Sequence, residues 1–373
     1  MKWKNDKGTF MQAFQALDYF GLNRLLEGNS DRVDKELKHR LSYLKFSSVL
    51  NTITQPLDRL LYGKKIADTK LAGDPVFLLG HWRSGTTFLH NLLSRDTRFT
   101  CPTLTQVFTP HSFLTLGKVT AAYLDMVLPE TRAMDKVILG SQEPQEDEFA
   151  IAVMSNISPY FAMVFPRERD KYIRFSRMKD VSEDELFAWK DAFMTFLKKI
   201  TIANNKIILL KSPTHTARVS LLNDMFPEAK FIHIVRNPYD VYTSMWKLYE
   251  NYTSMQHLQV ISKEDSKRDI LKNYKEMFEA FEEEKLLVPK NRLITIKYED
   301  LIKNPLGALE LVYKQLEFGN FSNFDHKVAE YLDSIKDYMP NKTCRISPEE
   351  LEQINIFCHQ VFDVYGYEKT HTK

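Results

Sequence analysis

The chain has 373 residues, 43% hydrophobic and 27% charged, the balance of a soluble globular protein that can bury a core without covalent staples. A net charge of +2 excludes the global basic field of a nucleic-acid binder. Cys101, Cys344 and Cys358 form no CxxC pair and the ten histidines show no HxxxH or HExxH spacing, so neither a disulfide framework nor a metal site is expected. The opening MKWKNDKGTF lacks the apolar stretch of a signal peptide, and no run of about 18 apolar residues occurs. The expectation is a cytoplasmic protein with no transmembrane segment.

Residues 9–26 carry Phe10, Phe14, Leu17 and Leu25 at helical spacing, and residues 31–61 carry Val33, Leu37, Leu41 and Leu44. Both stretches predict amphipathic helices. Lys and Arg interleave with aromatics here, which would suit weak peripheral membrane contact. An N-terminal segment 1–70 packed on the body is preferred, because the charge bias is weak. The pattern then changes. Short apolar runs at 75–79, 206–210, 230–235 and 292–297 are followed by helical stretches at 86–95, 216–226, 238–250 and 305–316. Continuous apolar strands alternating with helices predict an α/β fold, with a P-loop-like parallel sheet flanked by helices and right-handed crossovers. Segments 145–200, 320–338 and 347–363 read as helical additions. The N-terminal, middle and C-terminal helices thus decorate a single catalytic domain, 71–373.

The strand at 76–79 runs into GHWRSGTT, and an apolar-periodic helix begins with Phe88 and Leu89. A glycine turn at a helix N-terminus aims several backbone N–H groups at one spot, where the helix dipole adds positive potential. Ser84, Thr86 and Thr87 add hydroxyls beside Gly85, and Arg83 adds a fork for two oxygens. A phosphate fits there. This is not a Walker A loop, because Thr86 stands directly after Gly85 with no intervening Lys. A glycine turn with an ordinary helix cap is the bland alternative.

Residues 207–249 repeat the theme. A strand ends in Lys211–Ser212–Pro213, a helix follows, and a second strand ends in Arg236–Asn237–Pro238. Ser244 lies eight residues after Arg236, two turns into the next helix, so both can address one anion. The bland alternative is a surface pair of Arg236 with Asp240.

With these residues the chain resembles the sulfotransferase superfamily that uses 3′-phosphoadenosine 5′-phosphosulfate (PAPS), in its bacterial-type branch. RSGTT resembles the phosphosulfate loop, and RNPYDVYTS the 3′-phosphate motif, implying that Arg236 and Ser244 hold that phosphate. KYEDL, with Tyr298, resembles a segment near the nucleotide. YMPNK, with Lys342, resembles a loop that closes on it. The resemblance covers residues 73–367 and implies PAPS as co-substrate without a metal. Lys211 is the candidate to neutralise the leaving oxygen, with a strand-end surface lysine as the alternative.

The acceptor hydroxyl needs a base. The cytosolic branch carries a catalytic His in a KTH sequence where this chain has Lys211–Ser212–Pro213. Golgi-type branches carry a Glu where this chain reads PTLTQ at 102–106. The candidates here are Glu146, in a PQEDE cluster similar to one of the bacterial-type branch, and His111, which ordinarily titrates near working pH. Glu146 and Asp147 could equally serve as helix-cap acids. His215 and His81 trail. The apolar stretch 151–165, with Phe108, Phe113, Leu114, Leu116 and Tyr123, suits the wall of a pocket for a lipophilic small-molecule alcohol such as a sterol or steroid. The same residues would also suit ordinary core. A glycan acceptor is the next choice, although four Trp offer few sugar platforms. A nucleotide kinase or a non-catalytic nucleotide-binding protein are the competitors from other classes.

Overall fold

The computed structural model describes residues 14–128, 131, 139–336 and 345–370. The chain forms two compact units: Met1–Ala72 with Cys101–Ile208 and Glu250–Ile261, and Gly73–Thr100 with Leu209–Tyr249 and Ser262–Lys373.

Most of the sheet belongs to the second unit. Its strands are β1 (Val76–Leu79), β2 (Phe99–Thr100), β3 (Ile207–Lys211), β4 (Lys230–Val235) and β5 (Leu293–Lys297), in the order β2-β3-β1-β4-β5. β1 pairs in parallel with β3 and β4, and β4 with β5. The α/β fold expected from the apolar runs is therefore the one observed. Central β1 is apolar at every position because both faces are covered. Phe77 stacks on Phe231 at 5.4 Å and tilts against Phe226 at 6.0 Å. Burial of side chains like these contributes about 1.5–3 kcal/mol each. Outer β5 is mostly half-buried.

Helices follow the strands at Thr86–Leu93, Val219–Met225, Pro238–Leu248 and Pro305–Gln315. The expected helix at 216–226 starts late, because Pro213 opens a 3-10 turn, Pro213–Ala217, in front of it. The longest helix, Lys263–Glu284, was not anticipated. Its charged composition masks an apolar stripe of Ile270, Tyr274, Met277 and Phe281, spaced i, i+4, i+7, i+11, all buried.

The first unit is helical. The helix expected from residue 9 begins only at Tyr19, where the Asp18 carboxylate accepts from the Gly21 N–H; residues 9–13 lie outside the described residues. The stretch read as one helix over 31–61 divides at Pro56 into Lys38–Thr54 and Pro56–Asp68. The middle helices, including Glu148–Ser155 and Glu183–Ala203, are interrupted by 3-10 turns.

A buried ion pair ties three of these elements together. Lys199 Nζ lies 2.9 Å from Asp58 Oδ2 and also donates to the Pro110 carbonyl. Asp58 accepts in turn from the N–H groups of Leu114 and Thr115, at 3.0 and 2.9 Å, and from the Thr115 hydroxyl. Leu114 and Thr115 open the helix Phe113–Val127, whose own N-cap, Ser112, makes no side-chain cap bond. Asp58 thus caps a helix from a distant part of the chain. Burial lowers the Lys199 pKa, and Asp58 opposes that shift. Asp58→Ala strands the buried ammonium and uncaps the helix, so urea unfolding should show a loss of about 3–5 kcal/mol. Asp58→Asn with Lys199→Met, which leaves no buried charge, should lose less.

In the second unit, His233 of β4 stacks on Phe281 at 3.9 Å between ring centroids. Burial, with a smaller contribution from Lys285, pushes its pKa from 6.5 to about 3. The unfolded chain therefore takes up a proton that the folded chain refuses. The corresponding stability is present above pH 6.5 and drains away as pH falls towards 3. Below about pH 6, the unfolding free energy should fall with a slope that includes roughly 1.4 kcal/mol per pH unit from this one ring, and Tm should fall with it. His233→Phe should flatten the profile; an unchanged slope would exclude the effect.

Candidate active site

Four strand ends of the second unit converge. β1 exits at Gly80, with φ +145°, where a Cβ would come within 2.6 Å of the Ile234 carbonyl oxygen. Only glycine allows that approach. The Gly80 N–H is held by the Thr216 hydroxyl at 2.7 Å, a contact no sequence spacing announced. The Ser84 hydroxyl donates to the His81 carbonyl at 2.7 Å and closes the loop. Arg83 (φ +68°) and Gly85 (φ +101°) are both left-handed, a backbone shape that makes a concavity of N–H groups. Gly85 is the N-cap of Thr86–Leu93 and supplies no side-chain cap. The helices starting after Ser182, Asn237, Ser262 and Ser347 all have one. The first-turn N–H groups at Gly85, Thr86 and Thr87 have no intrahelical acceptor, so the cradle presents them to an anion.

β4 ends at Val235, and the next residue, Arg236, reaches back into this loop. Its Nη1 donates to the Arg83 carbonyl at 3.2 Å, and its guanidinium lies 4.5 Å from the centre of the Tyr298 ring. Arg236 Nε is buried with no partner among the described residues, an orphaned donor at the edge of the cradle. Its contact with Asp240 is loose, at 3.7 Å. The surface pair that was the bland alternative exists, but as a minor part of the arrangement.

Ser244, on Pro238–Leu248, accepts from Arg83 Nε at 2.9 Å. The two phosphate motifs read separately in the sequence are thus directly joined. Tyr298, the first residue after β5, also packs on Gly85, where an added Cβ would strike its ring. Glu299 accepts from the Asn237 N–H at 3.0 Å and from the Tyr367 hydroxyl at 2.9 Å, which fixes the turn after β4. Lys211 ends β3, buried, in register with Leu78 of β1. Lys342 lies outside the described residues.

His81 lies in the loop itself. Its Nδ1 contacts the Trp82 carbonyl at 2.8 Å and its buried Nε2 has no partner among the described residues. Burial lowers its pKa to about 4, so the ring is neutral at neutral pH. His215 packs edge-on against Phe77 at 5.4 Å, inside the core.

The two foremost base candidates belong to the first unit. Glu146 is half-buried just before the helix Glu148–Ser155, and its carboxylate accepts from the Tyr160 hydroxyl. Asp147 holds the N-cap position without a cap bond, and Glu148 accepts from Ser158 Oγ at 2.6 Å. His111 does not titrate near neutrality: burial, aided by Lys199, lowers its pKa to about 4. Its Nε2 is buried and has no partner among the described residues. The stretch 151–165 is largely packed interior, with Ile151, Phe161, Val164 and Phe165 fully buried. Most of it therefore serves as core. Among the described residues no cluster of His, Cys, Asp or Glu could hold a metal ion, and no helix is long and apolar enough to cross a membrane.

The sequence profile of the sulfotransferase family matches residues 75–321, the span that holds every described cradle residue. The omega-hydroxy-beta-dihydromenaquinone-9 sulfotransferases Stf3 of Mycobacterium bovis and Mycobacterium tuberculosis are each 33% identical over 346 residues, covering 93% of this chain and 89% of theirs. Among solved structures, sulfotransferase STF9 from Mycobacterium avium superposes with a TM-score of 0.66 at 15% identity, covering 100% of both chains. Sulfotransferase STF1 from Mycobacterium tuberculosis does so with a TM-score of 0.62 at 18% identity, covering 84% of this chain and 85% of that one. At those identities the superpositions establish a shared fold. Profile and sequence identity together carry the further conclusion that the chain belongs to the sulfotransferase family, enzymes that take their sulfuryl group from PAPS.

Proposed function

We propose that this enzyme transfers the sulfuryl group of PAPS to a hydroxyl of a lipophilic small molecule, through a catalytic domain spanning residues 71–373. The donor reading is carried by the convergence of Arg83, Arg236 and Ser244 on an uncapped helix N-terminus, with an unpartnered buried Arg236 Nε. Arg236 and Ser244 hold the 3′-phosphate. The N–H groups from Gly85 to Thr87, with the Ser84, Thr86 and Thr87 hydroxyls, hold the 5′ end, and Arg83 bridges the two. Tyr298 lines the nucleotide side.

PAPS supplies a sulfuryl group on a phosphosulfate anhydride, whose bridging S–O bond breaks as the acceptor oxygen bonds to sulfur. Charge then gathers on the departing phosphate oxygen, where Lys211 and Arg83 neutralise it without a metal. Glu146, whose carboxylate accepts from the Tyr160 hydroxyl, is the candidate base for the hydroxyl proton. His111 is the second reading: it is neutral at working pH, but its low pKa makes it a weak base.

The acceptor reading rests on the relatives. Proteins one-third identical over nearly the whole chain are named for an omega-hydroxylated menaquinone lipid. A terminal hydroxyl on such a lipid is the preferred acceptor class, ahead of a sterol or steroid. With labelled PAPS, an omega-hydroxy isoprenoid quinone should accept sulfate faster than a sterol or a glycan; turnover on glycans alone would overturn the lipophilic reading.

Two sets of variants test the roles. Arg236→Ala should weaken binding of the desulfated nucleotide by roughly 10–100-fold in calorimetry, and Ser244→Ala by less. Mg²⁺–ATP should give no comparable thermal shift with the unaltered protein. Glu146→Gln should lower kcat by about 10²–10⁴ with nucleotide affinity unchanged. His111→Asn should change kcat by less than about tenfold, and the reverse pattern would move the base to His111.

A further inference from the structure

Helices of globular units normally turn polar residues outward. In the first unit three helices do the opposite. Lys38–Thr54 buries Leu44 and Ser48 on its inner face, while Phe46, Leu50 and Ile53 line its outer face at 67%, 52% and 69% exposure. Pro56–Asp68 follows with Leu60 and Leu61 at 75% and 66%. Phe113–Val127, capped by Asp58 of that helix, exposes Val119 and Met126 at 70% and 77%. So much outward apolar surface on neighbouring helices marks an interaction face.

The exposed charges on these helices are mostly positive. Lys45, Arg59, Lys64, Lys65 and Lys118 are exposed beside the apolar side chains. Of the three acids on these helices, Asp58 is buried against Lys199 and Asp125 is engaged by the Ser141 N–H and hydroxyl. Asp68 alone is an exposed acid without such a described role. A second copy docked on the same stripes would bring cation against cation. An anionic lipid surface satisfies both features, because the apolar side chains enter the acyl boundary and the cations meet phosphate headgroups.

We infer that the first unit docks peripherally on anionic membrane through the outward faces of Lys38–Thr54, Pro56–Asp68 and Phe113–Val127. This goes beyond the donor and acceptor assignments and stands without them. It also reverses the preference drawn from sequence: these helices use one face for packing and the other for lipid.

The test is co-sedimentation of the full chain with phosphatidylcholine vesicles, with and without phosphatidylglycerol. Binding should require the anionic lipid. Phe46→Ser/Leu50→Ser/Ile53→Ser should reduce the partition coefficient by tenfold or more, on the order of one fully buried side chain or more. Lys64→Glu/Lys65→Glu should reduce it by a similar factor while leaving the apolar stripe intact. Tm should be unaltered in both variants. Failure to sediment with anionic vesicles, or equal partitioning of all three proteins, would overturn the inference. So would a dimer in gel filtration that the serine variant converts to monomer, or a fall in Tm of that variant, since another copy or another part of the chain would then cover the stripe.

Discussion

Most of the sheet unit is organised around one unmet requirement: the helix that starts at Thr86 has no cap of its own. At Pro238–Leu248, Lys263–Glu284 and Pro348–Phe357 of the same unit, a serine or asparagine oxygen closes the first turn. Here the cap position is a left-handed glycine, and no side chain at Gly85 could do so. The surrounding residues keep that gap open. Gly80 lets β1 leave the sheet hard against β4, Thr216 fastens the exit, and Tyr298 lies where any larger residue than Gly85 would stand. Arg236 then brings a guanidinium to the opening. Backbone N–H groups and two guanidinium groups are thus gathered at one opening, an arrangement whose positive potential suits an anion.

The first unit solves the same problem in the opposite way. The helix Phe113–Val127 also lacks a cap from its own N-cap residue, but Asp58 fills the place and is itself neutralised by Lys199. The Phe113–Val127 terminus is closed by a structural carboxylate; at Thr86–Leu93 no side chain caps the first turn. Whether an N-terminus is a site or a joint thus depends on what the rest of the fold brings to it, not on the helix.

This difference explains what could be read from the sequence. The strands were legible because burial on both faces forces continuous apolar runs, as in Val76–Leu79 and Lys230–Val235. The cradle was legible because left-handed turns and orphan N–H groups demand glycine locally. Asp58 as a cap was not, because its partners lie 56 and 57 residues away. Nor was the bond from Arg83 to Ser244, separated by 161 residues. Lys263–Glu284 had a readable stripe hidden under its charges. The stretch 151–165 was ambiguous for a different reason: packed core and a lipophilic pocket wall select the same side chains, and only burial separates them.

The bond between Arg83 and Ser244 has a consequence for selectivity. One hydroxyl serves both halves of the cradle, and the Arg83 carbonyl anchors Arg236. The two ends are therefore one gauge. Under the proposed assignment it would measure the spacing between two anionic groups rather than the charge of either. A nucleotide phosphorylated only on its 5′ side would span half the gauge and leave Arg236 unanswered. Discrimination against the far commoner mononucleotides would then come from length, with no need to read the base.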